Sequence, residues 1–135
     1  KNIIRRSGEN ISALEVEQVL RRHPGIADVA VTSVNDAVRG EEVMACVLPA
    51  LSAAKDAQAA RRITEWALTQ LAYYKAPGWV AFVAALPTTA SQKLERGAVK
   101  QLAPTLLDTP ACFDLRALKR RDAIVGLASE PPEIG

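Results

Sequence analysis

Apolar residues recur along the chain at two spacings, and each change of spacing separates an extended segment from a helical one. Ile3 and Ile4, followed by Arg5 and Arg6, give a short extended piece that stops at Ser7-Gly8, where glycine permits a positive φ. The spacing then becomes helical. Val16, Val19 and Leu20 form a stripe, Ser12 and Glu15 make a capping box, and Ile11 can staple onto Val16. Arg21 and Arg22 suit the C-terminal end of this helix and His23-Pro24-Gly25 stops it, so His23 reads as a helix-end residue rather than a catalyst.

Residues 26–34 are rich in β-branched side chains and read as a strand. Asn35-Asp36 and Arg39-Gly40 mark a connecting turn, residues 42–48 read as a second strand closed by Pro49, and the two should pair as an antiparallel hairpin. Ile63, Trp66, Ala67 and Leu71 mark one face of a helix over 57–72, ended by Lys75-Ala76-Pro77-Gly78. Residues 79–84 are apolar and short, as a buried strand is. The order strand, helix, strand, strand, helix, strand predicts an α+β fold, a small mixed or antiparallel sheet with helices packed against it. Beyond Pro104 the pattern weakens. Residues 113–121 suggest a short basic helix, and 128–135, with Pro131-Pro132, a loose tail.

Composition narrows the function. At 135 residues and 49% hydrophobic, the chain can bury one core. A net charge of +2, with acids and bases interleaved, argues against a nucleic-acid groove or a polybasic membrane patch. Its apolar runs fall far short of the ~20 residues that cross a bilayer, so a membrane span is not expected. Cys46 and Cys112 have no metal-ligand spacing and His23 is the one histidine, so neither a zinc site nor a Cys-His pair is expected, and a reducing cytoplasm fits best. The chain opens on Lys1 with no signal peptide, which suggests a part of something longer.

Candidate chemistry concentrates in residues 86–100. Pro87 fixes its own φ, and Thr88, Thr89, Ser91 and Gln92 can hydrogen-bond nearby backbone, which predicts a loop. Leu94, Ala98 and Leu102 then repeat at i, i+4 and i+8, so Lys93 is held at or just before a helix start. That is the wrong end for a lysine supporting a helix dipole, but there an ammonium and free amides can grip phosphate or carboxylate oxygens from two sides. Loop lysines are ordinarily solvated, so a second signal is needed.

The N-terminal segment supplies it. Lys1-Asn2-Ile3-Ile4-Arg5-Arg6-Ser7-Gly8-Glu9-Asn10-Ile11-Ser12 and the Lys93 loop together resemble two motifs of the C-terminal domain of acyl-adenylate-forming (AMP-binding) enzymes, above all the acyl-CoA ligase branch. The resemblance covers most of residues 1–103 and leaves 104–135 as a C-terminal extension. It implies a two-step, ATP-dependent ligase. A carboxylic acid, as in fatty acid metabolism, attacks the α-phosphate of ATP to give an acyl-adenylate, and the thiol of coenzyme A then displaces AMP.

The same resemblance implies residue roles. Lys93 enters the site for adenylation, the domain rotates about a hinge at Lys1, and the Ser7-Gly8-Glu9 turn then lines the pantetheine tunnel. Arg39 and Lys75 fall near positions that contact the nucleotide of coenzyme A. ATP and Mg are held mainly by an N-terminal adenylation domain, this domain's partner. There are departures: Gln92 stands where many relatives have glycine, and Ala76 and Gly78 lack the basic side chains some carry. With no phosphate-binding loop or acyl pocket in these residues, the chain alone should be inactive. Two other readings stay open: the matching piece of a peptide-synthetase adenylation domain, and a free-standing ferredoxin-like module for a small ligand.

Overall fold

The computed structural model describes residues 2–120; Lys1, the expected hinge, and residues 121–135, with the expected tail, lie outside the described residues. Strand β4 (Gly40–Pro49) is central to a six-stranded sheet. Along its whole length it pairs antiparallel with β3 (Ile26–Asp36), which is the expected hairpin. On its other edge it pairs parallel with β5 (Trp79–Phe82). A strand of three residues, β6 (Cys112–Asp114), continues the sheet beyond β5, while β1 (Ile3–Arg6) meets β4 at Arg6 and Gly40 and carries β2 (Glu9–Ser12).

Helices cover both faces. Val43, Ala45 and Val47 of β4 point into a core shared with α1 (Ala13–Leu20) and α2 (Ala57–Gln70), whereas Met44 and Cys46 point to the other face, against α3 (Arg96–Leu106). A strand buried on both faces reads as an unbroken apolar run, which is the pattern of residues 43–48. The α+β fold with a mixed sheet is the predicted one. No helix of the described residues is long and apolar enough to cross a membrane.

Two strands and one helix start differ from expectation. Ser7 (φ 50°) and Gly8 (φ 84°) make a two-residue hairpin turn with both central residues left-handed, and this folds residues 9–12 back on β1 where only a turn and a cap were expected. Phe113 and Asp114 lie inside the expected basic helix but belong to β6 and pair with β5, and among the described residues of that stretch only Arg116–Lys119 coils, as a 3-10 turn. A three-residue strand is too short to display a period of two. Helix α3 begins at Arg96 and buries Val99 and Ala103, leaving the Leu94, Ala98 and Leu102 stripe half-buried. The Ser12 cap forms, with Oγ accepting from Glu15 N–H at 3.2 Å, but the Glu15 carboxylate turns to Lys75 instead of completing the box.

Candidate functional site

Lys93 leaves a tight hairpin. Gln92 N–H donates to Thr89 O (2.9 Å), Thr89 N–H to Lys93 O (2.7 Å) and Glu95 N–H to Pro87 O (3.0 Å), while Thr88 and Leu94 form an isolated bridge. This is a three-residue loop closed by a left-handed residue, and that residue is Gln92, at φ 71°. The departure from glycine therefore carries a backbone cost. Left-handed geometry disfavours a side chain by roughly 1–2 kcal/mol, offset in part by the extra freedom glycine has when unfolded, so Gln92→Gly should stabilise the protein by about 0.5–1 kcal/mol in urea denaturation. A loss of stability would mean that the Gln92 side chain supports the loop.

Lys93 is exposed, and among the described residues no carboxylate lies within ion-pair distance of its ammonium. Its loop is anchored through Arg96. The carboxylate of Glu17 in α1, 1% exposed, accepts from Arg96 Nη1 (2.5 Å) and Nη2 (2.8 Å) and from Val31 N–H of β3 (2.7 Å). These hydrogen bonds, ahead of an opposing effect of burial, raise the Arg96 pKa. Arg21 adds a bond to Val29 O (3.3 Å) and an ion pair to Asp28 (2.9 Å). Helix α1 thus covers the free edge of β3 and grips the first residue of α3. An open concavity beside the lysine is lined by Arg21, Asp28, Gln92, Lys93, Leu94 and Arg96.

Ser7, Gly8 and Arg39 gather elsewhere. Ser7 N–H donates to Arg39 O (2.9 Å), and Arg39 Nη1 reaches Ser7 Oγ at 3.4 Å. A Cβ on Gly8 would meet nothing within 4 Å, so here the positive φ, not a close neighbour, calls for glycine and the turn is open to whatever approaches it. Glu9 follows, exposed, at the start of β2. The Arg39 turn is shaped by Asp36, whose Oδ2 accepts from Val38 N–H (3.1 Å) and Arg39 N–H (2.8 Å). Burial would raise the Asp36 pKa, but these bonds and the Arg116 guanidinium hold it below the usual carboxylate range. Lys75 is not part of this group: its ammonium is committed to Glu15 at 3.0 and 3.3 Å.

The two clusters sit at opposite ends of β3. Lys93 lies by Asp28 and Arg39 lies just past Asp36, a separation of roughly 26 Å at the ~3.3 Å rise of a strand residue. Behind the Arg39 end lies a buried charge cluster with no signal in the sequence pattern. Glu42 accepts from Arg6 Nε (2.9 Å), Lys119 Nζ (2.5 Å) and Val43 N–H (2.8 Å), and burial pushes the Lys119 pKa down to about 8. Gly78 makes room for it, since a Cβ there would fall 2.6 Å from Glu42 Cδ.

The remaining reactive side chains are structural. His23 closes α1: its Nδ1 accepts from Gly25 N–H (2.9 Å), its ring stands edge-on to Trp66, and burial, aided by Arg62, lowers its pKa. Burial raises the Cys46 and Cys112 thiols to about 12 and about 11, which keeps both protonated at neutral pH.

The fold is a mixed sheet with helices on both faces, and comparison with known proteins gives the family. Residues 15–93 match the AMP-binding enzyme C-terminal domain, and the chain belongs to that family. It is 40% identical over 101 residues, 75% of this chain and 20% of the relative, to a feruloyl-CoA synthase of an Amycolatopsis species. To the propionate–CoA ligase of Escherichia coli it is 30% identical over 125 residues, 84% of this chain and 20% of the relative. A crystal structure of an acyl-CoA synthetase from Brucella canis superposes with a TM-score of 0.73 at 31% identity, covering 76% of this chain and 19% of that one. The chain spans 16–20% of the length of these and the other first curated relatives it matches.

Proposed function

We propose that this chain works as the mobile C-terminal domain of an ATP-dependent, AMP-forming acyl-CoA ligase, with residues 1–103 as the domain proper and 104–135 as an extension. One observation supports the reading: a lysine with no carboxylate partner among the described residues and an open serine-glycine turn beside an arginine lie at opposite ends of β3. A domain with two working ends can serve two successive steps by rotating.

In the first step Lys93 faces the partner domain's active site. A carboxylate must attack the α-phosphate of ATP, and two anions repel. The Lys93 ammonium, held on a hydrogen-bonded hairpin, neutralises charge between them and costs little reorganisation as the bond forms. The domain then turns about Lys1, and the Ser7-Gly8-Glu9 hairpin takes its place. The open face of Gly8 leaves room for the pantetheine arm of coenzyme A, and Arg39 offers a cation to its phosphates, whereas Lys75 would first have to leave Glu15 to do so. These groups fit a phosphorylated nucleotide. In our reading Mg and most contacts to ATP belong to the partner domain, because these residues supply no phosphate-binding loop and no acyl pocket, and on that ground the isolated chain should form no acyl-CoA.

The turn's role is testable with Gly8→Leu in the full-length ligase. A side chain there should slow thioester formation from supplied acyl-adenylate by about tenfold or more and leave adenylate formation within about twofold. Equal losses in both half-reactions, with circular dichroism showing a folded protein, would refute the step-specific role.

A further inference from the structure

Residues 112–119 take no part in either step as described, yet they hold each element that carries a candidate coenzyme A contact. The segment docks through β6 on β5 and through Leu115 N–H, which donates to Gly78 O at 2.7 Å. Two separate lines of bonds leave it from there.

Arg116 starts the first. Its Nη1 donates to Asp36 Oδ1 (2.9 Å), and the other oxygen of that carboxylate shapes the turn bearing Arg39. The guanidinium is itself fixed, by Asp114 at 2.9 and 2.8 Å and by the Trp79 ring 4.6 Å beneath it. Lys119 starts the second. Its Nζ donates to Glu42, whose other oxygen receives Arg6, the residue immediately before the Ser7-Gly8 turn. The same ammonium donates to Tyr74 O (2.9 Å), in the Tyr73–Lys75 turn.

Stability alone does not account for these charges. Lys119 and Glu42 side chains are 0% and 1% exposed, and an apolar pair of similar size would hold the segment about as well, because desolvating two ions offsets most of their attraction. What the ions add is direction, since each carboxylate they bond in turn holds a residue in or next to a turn assigned above to coenzyme A.

We infer that residues 112–119 form a strap that positions the thioester-forming end, Arg116 acting through Asp36 on Arg39 and Lys119 acting through Glu42 and Arg6 on Ser7-Gly8. The inference rests on the assignment of that end proposed above. Arg116 and Lys119 are positioning residues, and the strap explains why a segment past α3 returns to the sheet.

The test uses the full-length ligase and four variants. Arg116 is partly exposed, so Arg116→Gln should fold, raise the KM for coenzyme A about tenfold in thioester formation from supplied acyl-adenylate, and leave adenylate formation, read as pyrophosphate release, within about twofold. Asp36→Asn should do the same, and the double variant no more than either alone, because both break one line of bonds. An unchanged KM, equal loss in both half-reactions, or effects that multiply to about a hundredfold in the double variant, as for a guanidinium that touches the ligand directly, would each overturn the inference. Gly8→Leu separates the two levels. If it impairs thioester formation while Arg116→Gln does not, the strap fails and the assigned end stands; if neither impairs it, the assignment of that end fails and the strap with it.

Discussion

Lys93→Ala in the full-length ligase is expected to slow acyl-adenylate formation by about a hundredfold to a thousandfold, roughly 2.7–4 kcal/mol of transition-state stabilisation, by analogy with loss of one oxyanion-hole donor. Folding should stay within about 0.5 kcal/mol of wild type, because the residue is exposed and the hairpin is held by backbone bonds that alanine preserves. The loss is thus chemical rather than structural. Pyrophosphate release, followed alongside thermal unfolding, separates the two. A slow but fully folded variant supports the assignment, and wild-type adenylation would remove Lys93 from the mechanism.

Glu17→Ala should have the largest effect on stability, about 3 kcal/mol in urea denaturation. The carboxylate is almost wholly buried and serves three donors on two other elements, Val31 N–H of β3 and both terminal nitrogens of Arg96. Its removal leaves the Val31 amide unsatisfied on the free edge of a strand. Arg96, with about a third of its side chain exposed, can recover some solvation, which is why the estimate sits at the low end for a broken buried pair. Glu17→Gln keeps an acceptor for Val31 and should cost about half as much. Adenylation should fall further than thioester formation in both variants, since Arg96 anchors the Lys93 hairpin. A Glu17→Ala protein as stable as wild type would show that α1 does not hold α3 in this way.

How much of this could be read in the sequence follows from the range of the interactions. The β3–β4 hairpin, the Ser12 start of α1 and the α2 face depend on neighbours within a few residues, and all three were legible. Strand β2 was not, because residues 9–12 show no apolar alternation and their pairing depends on the left-handed geometry of Ser7 as well as Gly8. Helix α3 starts later than Leu94 because that residue is drawn into a bridge with Thr88, which delays the first helical turn.

For the site, Lys93 and the Ser7-Gly8 turn carry motifs and could be named. Lys75 could be named as well, but not that Glu15, sixty positions away, would take its ammonium. Glu17 and Glu42 look like ordinary surface acids in sequence. Their burial is decided by Arg96 and Lys119, 79 and 77 positions distant, and no local pattern records such a pairing.

That opposite ends of this sheet serve successive steps is tested most directly by giving Lys93→Ala ligase its acyl-adenylate ready-made, together with coenzyme A, and timing thioester formation. In the proposed rotated pose Lys93 would lie roughly 26 Å from the thioester-forming end, too far to act through solvent at physiological ionic strength. The account predicts a rate within about twofold of wild type, against the hundredfold or greater loss in making the adenylate. Thioester formation as slow as adenylate formation in the same variant would contradict it.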